Sequence, residues 1–352
     1  MLRELSAGTA SWPLTAPFRI ARGVRHSAET VTVEISGHGC MGRGESIPYA
    51  RYGESVSSVL AQVRLATAAV ANGLSRTQLE ELLPPGAARN AIDCALWDLE
   101  ANRSGVPVSA ALGHGPLPEL DSARTVGIDT PERMAKAAAD LAGLALVKVK
   151  VDADDPAARI RAVRQAVPDA RLIVDPNESW DIELLRALQP MLLDARVDLV
   201  EQPLPADADA ALEGFRPEVP VCADESCHVA GDLPRLANRY QAVNIKLDKT
   251  GGLSGALRLL DAARAAGFRI MVGCMVGTSL GIAPALHVAR HAEFVDLDGP
   301  LWLRRDRDGG VRMHNGKLLP PHGGFWGGPA ATDPGVRAGA HLSGASSPGA
   351  GA

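Results

Sequence analysis

Six charged residues follow one another at nearly regular intervals, each at the C-terminal end of a short apolar run. They are Lys150, Asp175, Glu201, Asp224, Lys246 and Asp298, separated by 25, 26, 23, 22 and 52 residues. One charged residue after a strand is ordinary turn chemistry, but six in nearly constant phase favour a shared role. Converging acids can bind a cation, and converging lysines can move protons. The spacing therefore predicts a catalytic centre built from strand ends.

The apolar runs alternate with Ala-, Leu- and Arg-rich helical stretches, a pattern typical of repeated β–α units. The runs are TVGI near 125, LVKVK ending at 150, LIVD at 175, LVE at 201, VCADE at 225, AVNIK at 246, IMVGCM at 275 and FVDLD at 298. Eight such units predict an α/β fold, a (β/α)8-type (modified TIM) barrel. In that barrel the C-terminal strand ends form the mouth, where catalytic groups lie.

Three of the acids, Asp175, Glu201 and Asp224, belong to the third, fourth and fifth runs, so a barrel brings them into one arc. Buried carboxylates repel one another unless a cation or raised pKa values relieve them. All-oxygen ligation suits Mg²⁺, whereas Zn²⁺ more often recruits His or Cys. We therefore predict a Mg²⁺ site, with salt bridging alone as the alternative.

Lys150 and Lys246 belong to the second and sixth runs, four positions apart in a ring of eight, so they should face each other across the mouth. A substrate carbon held between them presents one face to each lysine, which suits proton removal on one side and return on the other. Such a 1,1-proton transfer inverts a stereocentre. A lysine acts as a base only when its pKa is lowered, and we expect desolvation and the neighbouring charge of Lys148 to lower it.

The N-terminal third has a different pattern, with polarity that alternates over Thr30–Ile35 and helical periodicity over 55–71 and 87–102. The predicted segments are an α+β domain (1–120), the barrel (121–300), a C-terminal segment that returns to the first domain (301–322) and a flexible tail rich in Gly, Ala and Ser (323–352).

Composition excludes several classes of protein. The 352 residues carry a net charge of −5, so there is no basic field to attract nucleic acid or an anionic membrane. Five cysteines without a CxxC pair indicate a reducing compartment. Residues 1–12 lack the apolar stretch of a signal peptide, and no apolar run approaches the roughly 18 residues of a membrane span. We expect a soluble, cytoplasmic protein that binds neither nucleic acid nor membrane.

The motifs resemble the enolase superfamily, in its muconate-lactonizing subgroup, and within it the dipeptide epimerases. The resemblance covers about residues 10–303 and is carried by KVK at 148–150, DPN at 175–177, EQP at 201–203, ADES at 223–226 and NIKLDKTGG at 244–252. It implies Asp175, Glu201 and Asp224 as Mg²⁺ ligands, Lys150 and Lys246 as acid/base lysines, Lys148 as a contact to the substrate carboxylate, and Asn177 and Glu225 as supports beside the ligands.

The same resemblance assigns the recognition of substrate. Asp296 and Asp298 match the DxD pair that holds the free ammonium group of a dipeptide. The N-terminal domain is expected to cap the barrel, with a loop near 17–28 closing over substrate and its Arg25 meeting a glutamate side chain. Pro176 departs from the small residue usual at its position, and the loop at 273–284 varies within the family.

The implied activity is Mg²⁺-dependent epimerisation at the α-carbon of the C-terminal residue of a small dipeptide. L-Ala-D-Glu and L-Ala-L-Glu are the favoured pair, as in murein peptide recycling, and a homo-oligomer is possible. The alternatives are epimerisation of other dipeptides, muconate cycloisomerase or o-succinylbenzoate synthase chemistry without an ammonium to bind, and a barrel that binds without turnover.

Overall fold

The computed structural model describes residues 2–21, 23–314 and 316–328. Its N-terminal part is a three-stranded antiparallel sheet packed on helices, followed by a short strand that leads into the barrel. The elements are β1 (Glu4–Ile20), β2 (Gly23–Gly37), β3 (Cys40–Ser46), α1 (Val56–Ala71), α2 (Arg76–Leu82), α3 (Ala87–Ser104), α4 (Val108–Ala111) and β4 (Leu120–Asp121). Strand β2 is longer than the alternating segment predicted from the sequence.

Eight parallel strands form the second part. They are β5 (Arg124–Val126), β6 (Leu146–Lys150), β7 (Arg171–Asp175), β8 (Leu199–Glu201), β9 (Val221–Ala223), β10 (Ala242–Ile245), β11 (Arg269–Gly273) and β12 (Phe294–Asp296). Each strand pairs with its sequence neighbours. The ring closes where the Ala123 amide donates to the Val295 carbonyl at 2.7 Å. This confirms the predicted α/β barrel.

Helices join the strands on the outside of the ring. They are α5 (Pro131–Ala139), α6 (Pro156–Ala166), α7 (Ile182–Asp194), α8 (Leu233–Leu236), α9 (Leu247–Thr250), α10 (Leu253–Ala265), α11 (Ser279–Ile282) and α12 (Leu286–Ala289). Between β8 and β9 only a 3₁₀ turn at Asp209–Leu212 replaces the helix. None of the helices among the described residues combines the length and apolar composition needed to cross a bilayer.

The barrel interior is layered, because alternate residues of a strand share one face. The lowest layer, the apolar floor, consists of one buried apolar side chain at or directly before each of the eight strands: Ala123, Leu146, Ile173, Leu199, Cys222, Ala242, Met271 and Phe294. Two residues further along each strand, the same face carries Thr125, Lys148, Asp175, Glu201, Asp224, Asn244, Gly273 and Asp296. The phase set by the apolar floor therefore directs these mostly polar side chains into the interior, one layer nearer the mouth.

Helix α3 joins the N-terminal part to the barrel. The Asp93 carboxylate accepts from the Ser254 amide (2.9 Å) and hydroxyl (2.6 Å) at the start of α10, and Arg89 donates to the Thr250 carbonyl at 2.8 Å. A Cβ at Gly252 would lie 2.5 Å from Asp93 Oδ2, so only a glycine here lets α3 approach this closely. The KTGG segment therefore serves docking of the N-terminal part.

The C-terminal segment lies between the two parts. Arg307 donates to Glu45 Oε2 at 2.7 Å, and Arg304 to the Leu14 carbonyl at 2.9 Å. Strand β14 (Lys317–Leu319) pairs with β4 on one side and with β13 (Arg312–His314) on the other, both antiparallel.

The boundary predicted for the flexible tail is wrong by at least six residues. Phe325 and Trp326 are buried, and the Gly327 amide donates to Asp98 Oδ1 at 2.7 Å. These two aromatic side chains hold the segment against the core, because packing there removes their apolar surface from water. Residues 329–352, the rest of the predicted tail, lie outside the described residues.

We predict that Gly44→Ala destabilises the fold. A Cβ at Gly44 would lie 2.1 Å from the Ala91 carbonyl oxygen of α3, so the helix must move away from β3. The expected loss is about 1–3 kcal/mol in the free energy of unfolding, measured by urea denaturation.

Gly8→Ala is the matched control, because a Cβ there meets no atom within 4 Å. An equal loss of stability in both variants would contradict this account of how α3 packs on β3.

Candidate active site

The predicted site residues meet at the C-terminal mouth of the barrel. Lys150, Asp175 and Glu201 end β6, β7 and β8, while Asp224 and Lys246 directly follow β9 and β10. All five are buried. Strands β6 and β10 are four positions apart in the ring, and both lysines line one pocket. The structure therefore brings these side chains together as the spacing predicted.

Lys148 lies at the centre of the acids. Its Nζ is 2.6 Å from Glu201 Oε2, 2.7 Å from Asp296 Oδ2 and 3.0 Å from Asp175 Oδ2. Burial alone would lower the pKa of Lys148, but these three carboxylates outweigh it and hold the pKa well above its usual value. Lys148 is therefore a fixed positive charge on the same strand as Lys150.

Lys150 is held at the edge of the acid cluster. Its Nζ lies 2.5 Å from Asp175 Oδ2 and 3.0 Å from Asn177 Oδ1. Asn177 has φ 47°, and its backbone amide donates to Asp175 Oδ1 at 2.9 Å. The tight turn after β7 thus fixes the direction of both Asp175 and Lys150, and Pro176 within it does not prevent this.

Asp224 lies between two lysines. Oδ2 accepts from Lys246 Nζ at 2.6 Å, and Oδ1 accepts from Lys249 Nζ at 2.7 Å. Burial would raise the pKa of Asp224, but Lys246 and Lys249 outweigh it and place the pKa well below its usual range. Asp224 is therefore a carboxylate at neutral pH.

The neighbouring acids oppose the lowering of the lysine pKa that the sequence predicts for Lys246. Burial acts in that direction, but Asp224 and Glu201 outweigh it and raise the pKa of Lys246 above its ordinary value. The acids next to Lys246 therefore stabilise its ammonium form more than Lys148 destabilises it.

The pKa values of Glu201 and Asp175 are shifted in opposite directions. Burial, then the neighbouring Asp175, raises the pKa of Glu201 to about 8, even though Lys148 Nζ lies 2.6 Å away. Asp175 is held below its usual pKa because Lys150 and Lys148 outweigh its burial. Such a cluster relieves its mutual repulsion by keeping one member neutral.

Asp296 and Asp298 lie across the mouth from the β8 and β9 ends. Asp298 Oδ2 accepts from the Thr125 amide at 2.8 Å and from Trp302 Nε1 at 3.2 Å. Asp296 Oδ1 is buried with no hydrogen-bond partner among the described residues. Burial, then the charge of Asp296, raises the pKa of Asp298 to about 6. The pair presents acceptors suited to a cationic group.

The N-terminal domain supplies the outer wall of the pocket. Phe18, Ile20 and Arg25 line it, and the Arg25 guanidinium carbon lies 4.9 Å from the centre of the Tyr49 ring. Most of 17–28, predicted as a loop, belongs to the ends of β1 and β2, so the pocket is covered by a hairpin rather than an irregular segment.

Two further residues of the site were not predicted. Lys249 is fully buried behind Asp224. Gln202 accepts from the amides of Asp224 (2.9 Å) and Ser226 (3.1 Å) through Oε1, while Nε2 donates to Tyr240 Oη at 3.0 Å. The EQP and KLDK motifs contained both residues, but their buried partners are distant in sequence.

The donor set fits a hard divalent cation. Among the described residues no three His, Cys, Asp or Glu side chains already stand as a ligand group, because the acids contact lysine ammonium groups instead. The lysines are outnumbered among the described residues at the mouth. The buried carboxyl groups there are Asp175, Glu201, Asp224, Glu225, Asp296 and Asp298, and the buried ammonium groups are Lys148, Lys150, Lys246 and Lys249. An all-carboxylate cluster with excess negative charge suits Mg²⁺.

Two family models match nearly the whole of the described chain. The N-terminal domain of mandelate racemase / muconate lactonizing enzyme matches residues 3–113, and an enolase C-terminal domain-like model matches residues 132–325. The chain belongs to the mandelate racemase / muconate lactonizing enzyme family. This confirms the resemblance drawn from the KVK, DPN, EQP and ADES motifs.

Members of this family with known activities are close in sequence. An L-Ala-D/L-Glu epimerase of Escherichia coli K12 is 49% identical over 320 residues, which cover 90% of this chain and 99% of the relative. An N-acetyl-D-glutamate racemase of Pseudoalteromonas sp. is 44% identical over 300 residues, covering 85% and 95%. Both relatives are named for inverting a derivative of glutamate.

Solved structures of the family contain dipeptides and metal ions. An enolase family member from Agrobacterium tumefaciens, with homology to dipeptide epimerases and bound sodium and L-Ala-L-Glu, superposes with a TM-score of 0.90 at 46% identity over 92% of this chain and 100% of its own. A dipeptide epimerase of Cytophaga hutchinsonii, complexed with Mg and D-Ala-L-Val, gives 0.84 at 27% identity over 91% and 94%.

Gln202→Ala should lower the free energy of unfolding by about 2 kcal/mol or more. The substitution leaves the Asp224 and Ser226 amides and the Tyr240 hydroxyl buried without this partner. Urea denaturation measures the change.

Gln165→Ala, at an exposed position of α6, is the control and should change stability by less than about 0.5 kcal/mol. Equal stabilities of the two variants would show that Gln202 does not hold the end of β9.

Proposed function

We propose that this protein is a Mg²⁺-dependent dipeptide epimerase that inverts the α-carbon of the C-terminal residue, with L-Ala-D-Glu and L-Ala-L-Glu as the favoured pair. The observation that carries the proposal is the pair of buried lysines, Lys150 and Lys246, on strands four apart in the barrel with the acid cluster between them. The similarity to the Escherichia coli L-Ala-D/L-Glu epimerase supports the choice of substrate.

Lys150 and Lys246 exchange one proton each with the substrate. The lysine facing the substrate hydrogen, in its amine form, takes the α-proton, and the ammonium of the opposite lysine gives a proton to the other face. The net charge of the two lysines is unchanged and the stereocentre is inverted. In the reverse reaction the two lysines exchange roles.

The charge that develops on the substrate carboxylate is the main energetic difficulty, because an α-proton beside a carboxylate is very weakly acidic. A bound Mg²⁺, held by Asp175, Glu201 and Asp224, would supply concentrated positive charge at that carboxylate. Lys148 adds a second fixed positive charge. Phe18 and Ile20 line the pocket from the N-terminal domain, and exclusion of water by these apolar side chains would strengthen the interactions.

Recognition of a dipeptide needs acceptors for its free ammonium group. Asp296 Oδ1 has no partner among the described residues, and Asp298 is held beside it by Thr125 and Trp302. A charge-assisted hydrogen bond from an ammonium group would satisfy the buried oxygen. Arg25 lines the outer wall of the pocket and would pair with the glutamate side chain.

A second candidate is racemisation of N-acetylglutamate, which the similarity to the Pseudoalteromonas racemase favours. That substrate offers the same glutamate carboxylates and α-proton but no ammonium group. The unsatisfied Asp296 oxygen therefore favours the dipeptide. The homo-oligomer and the cytoplasmic location expected from the sequence stay predictions.

The proposal is tested with L-Ala-L-Glu and Mg²⁺ in D₂O. We expect the unaltered protein to form L-Ala-D-Glu carrying one deuterium at the α-carbon, read as a mass shift after separation of the epimers. Lys150→Ala and Lys246→Ala should each slow epimerisation by about 10²- to 10⁴-fold, because each lacks one of the two proton carriers.

With one lysine left, each variant should still exchange the α-proton of one epimer, and the two variants should label opposite epimers. Lys136→Ala, at an exposed position of α5, is the matched control with unaltered rates. Full epimerisation by either site variant, or labelling of the same epimer by both, would rule out two opposed bases.

The pH dependence of dipeptide use should report on Asp298. Its pKa of about 6 is raised in the folded protein, so the carboxylate is neutralised as the pH falls through 6 and its attraction for the ammonium group is lost. We expect kcat/KM for L-Ala-L-Glu to fall below pH 6, and Asp298→Asn to raise KM and remove that limb of the profile.

Glutamate acylated at its nitrogen, for example N-acetylglutamate, is the comparison substrate, and any turnover of it should lack this dependence. A dipeptide KM unchanged by Asp298→Asn would exclude Asp298 from ammonium binding.

A further inference from the structure

We propose that Lys249 is a positioning residue that fixes the Asp224 carboxylate in the orientation required to ligate the metal. The inference rests on the metal site of the proposed function, and it concerns a lysine to which the two-base reaction gives no role. Lys249 belongs to α9, the single helical turn that follows β10, three residues after Lys246.

The Lys249 side chain is 0% exposed, and its ammonium group is fully satisfied. Nζ donates to the Asp224 carbonyl at 2.5 Å, to Asp224 Oδ1 at 2.7 Å and to the Asn244 carbonyl at 2.8 Å. An ammonium group has three N–H donors, and here each has an acceptor. Two of the three acceptors belong to one residue, so Lys249 holds Asp224 by both its backbone and its side chain.

Asp224 is consequently fixed on every side. Its amide donates to Gln202 Oε1 at 2.9 Å, its carbonyl and Oδ1 accept from Lys249, and Oδ2 accepts from Lys246 at 2.6 Å. With Oδ1 held from behind by Lys249, Oδ2 is the oxygen directed to the lysine that lines the pocket. A carboxylate with one orientation pays less entropy when it binds a cation.

Lys249 also reaches a second acid of the cluster indirectly. It holds the backbone carbonyl of Asn244, and Asn244 Nδ2 donates to Glu201 Oε1 at 2.8 Å. One buried ammonium group therefore restrains Asp224 directly and Glu201 through its neighbour.

Lys249 does not belong to the described residues that line the pocket. Its ammonium group is fully buried behind Asp224, so any effect on the reaction passes through the acids that it holds, Asp224 directly and Glu201 through Asn244. This makes it a positioning residue rather than a third acid/base lysine.

The charge of Lys249 and its placement of Asp224 have opposite effects on metal binding. Removing a buried positive charge beside the acids would by itself strengthen Mg²⁺ binding. Releasing the Asp224 carboxylate would weaken it. A weaker metal site in a folded variant without the ammonium group, measured at a pH where Asp224 stays ionised, therefore indicates lost positioning.

The test measures the Kd for Mg²⁺ by isothermal titration calorimetry, without substrate, in the full chain. Lys249→Met keeps the length of the side chain and removes the donors, and Lys136→Met is the matched control on an exposed lysine. Lys249→Gln retains amide donors and serves if the methionine variant does not fold, which circular dichroism would show.

We expect Lys249→Met to raise the Kd at least tenfold, Lys249→Gln to raise it at least threefold, and Lys136→Met to leave it unaltered. A Kd unchanged or lowered in the Lys249 variants would overturn the inference and leave Lys249 a structural residue. Absence of Mg²⁺ binding by the unaltered protein would instead refute the proposed function, and this inference with it.

Discussion

The mouth of the barrel must bury many charges in one place, and most of the structure serves to make that possible. Six carboxyl groups and four lysines share this region, and each lysine there contacts at least one acid. Isolated buried charges would cost far more than the fold could supply. The cluster is stabilised because each of its lysines contacts an acid, and the excess of acids leaves negative charge that a divalent cation would neutralise.

This arrangement follows from the period of a strand. With the apolar floor fixed by residues such as Ile173 and Leu199, the side chains two positions later, Asp175 and Glu201, must point into the same interior one layer higher. The N-terminal domain then completes the site from outside. It is anchored by Asp93 on the start of α10 and by the contact between Glu45 and Arg307, which together hold Phe18 and Arg25 over the mouth.

Much of this could be predicted from the sequence, because repeated β–α units place the strand ends at nearly regular intervals along the chain. The regular spacing of the charged residues predicted the barrel, the grouping of the three acids and the opposed positions of the two lysines. What depended on three-dimensional contacts could not be read. The raised pKa of Lys246 comes from the 2.6 Å contact with Asp224, the role of Gln202 from backbone amides on another strand, and the order at Phe325 from apolar surface elsewhere in the fold. The three-residue step from Lys246 to Lys249, one helical turn, was the available signal for a second lysine at Asp224.

The central claim is that two lysines approach one substrate carbon from opposite faces beside a carboxylate-bound metal. A crystal structure with Mg²⁺ and L-Ala-L-Glu tests it most directly, by the positions of Lys150 Nζ and Lys246 Nζ relative to the glutamate α-carbon. The account predicts one Nζ on each face within reach of that carbon, with the ion among Asp175, Glu201 and Asp224. Both Nζ atoms on the same face, or an ion bound elsewhere, would contradict it.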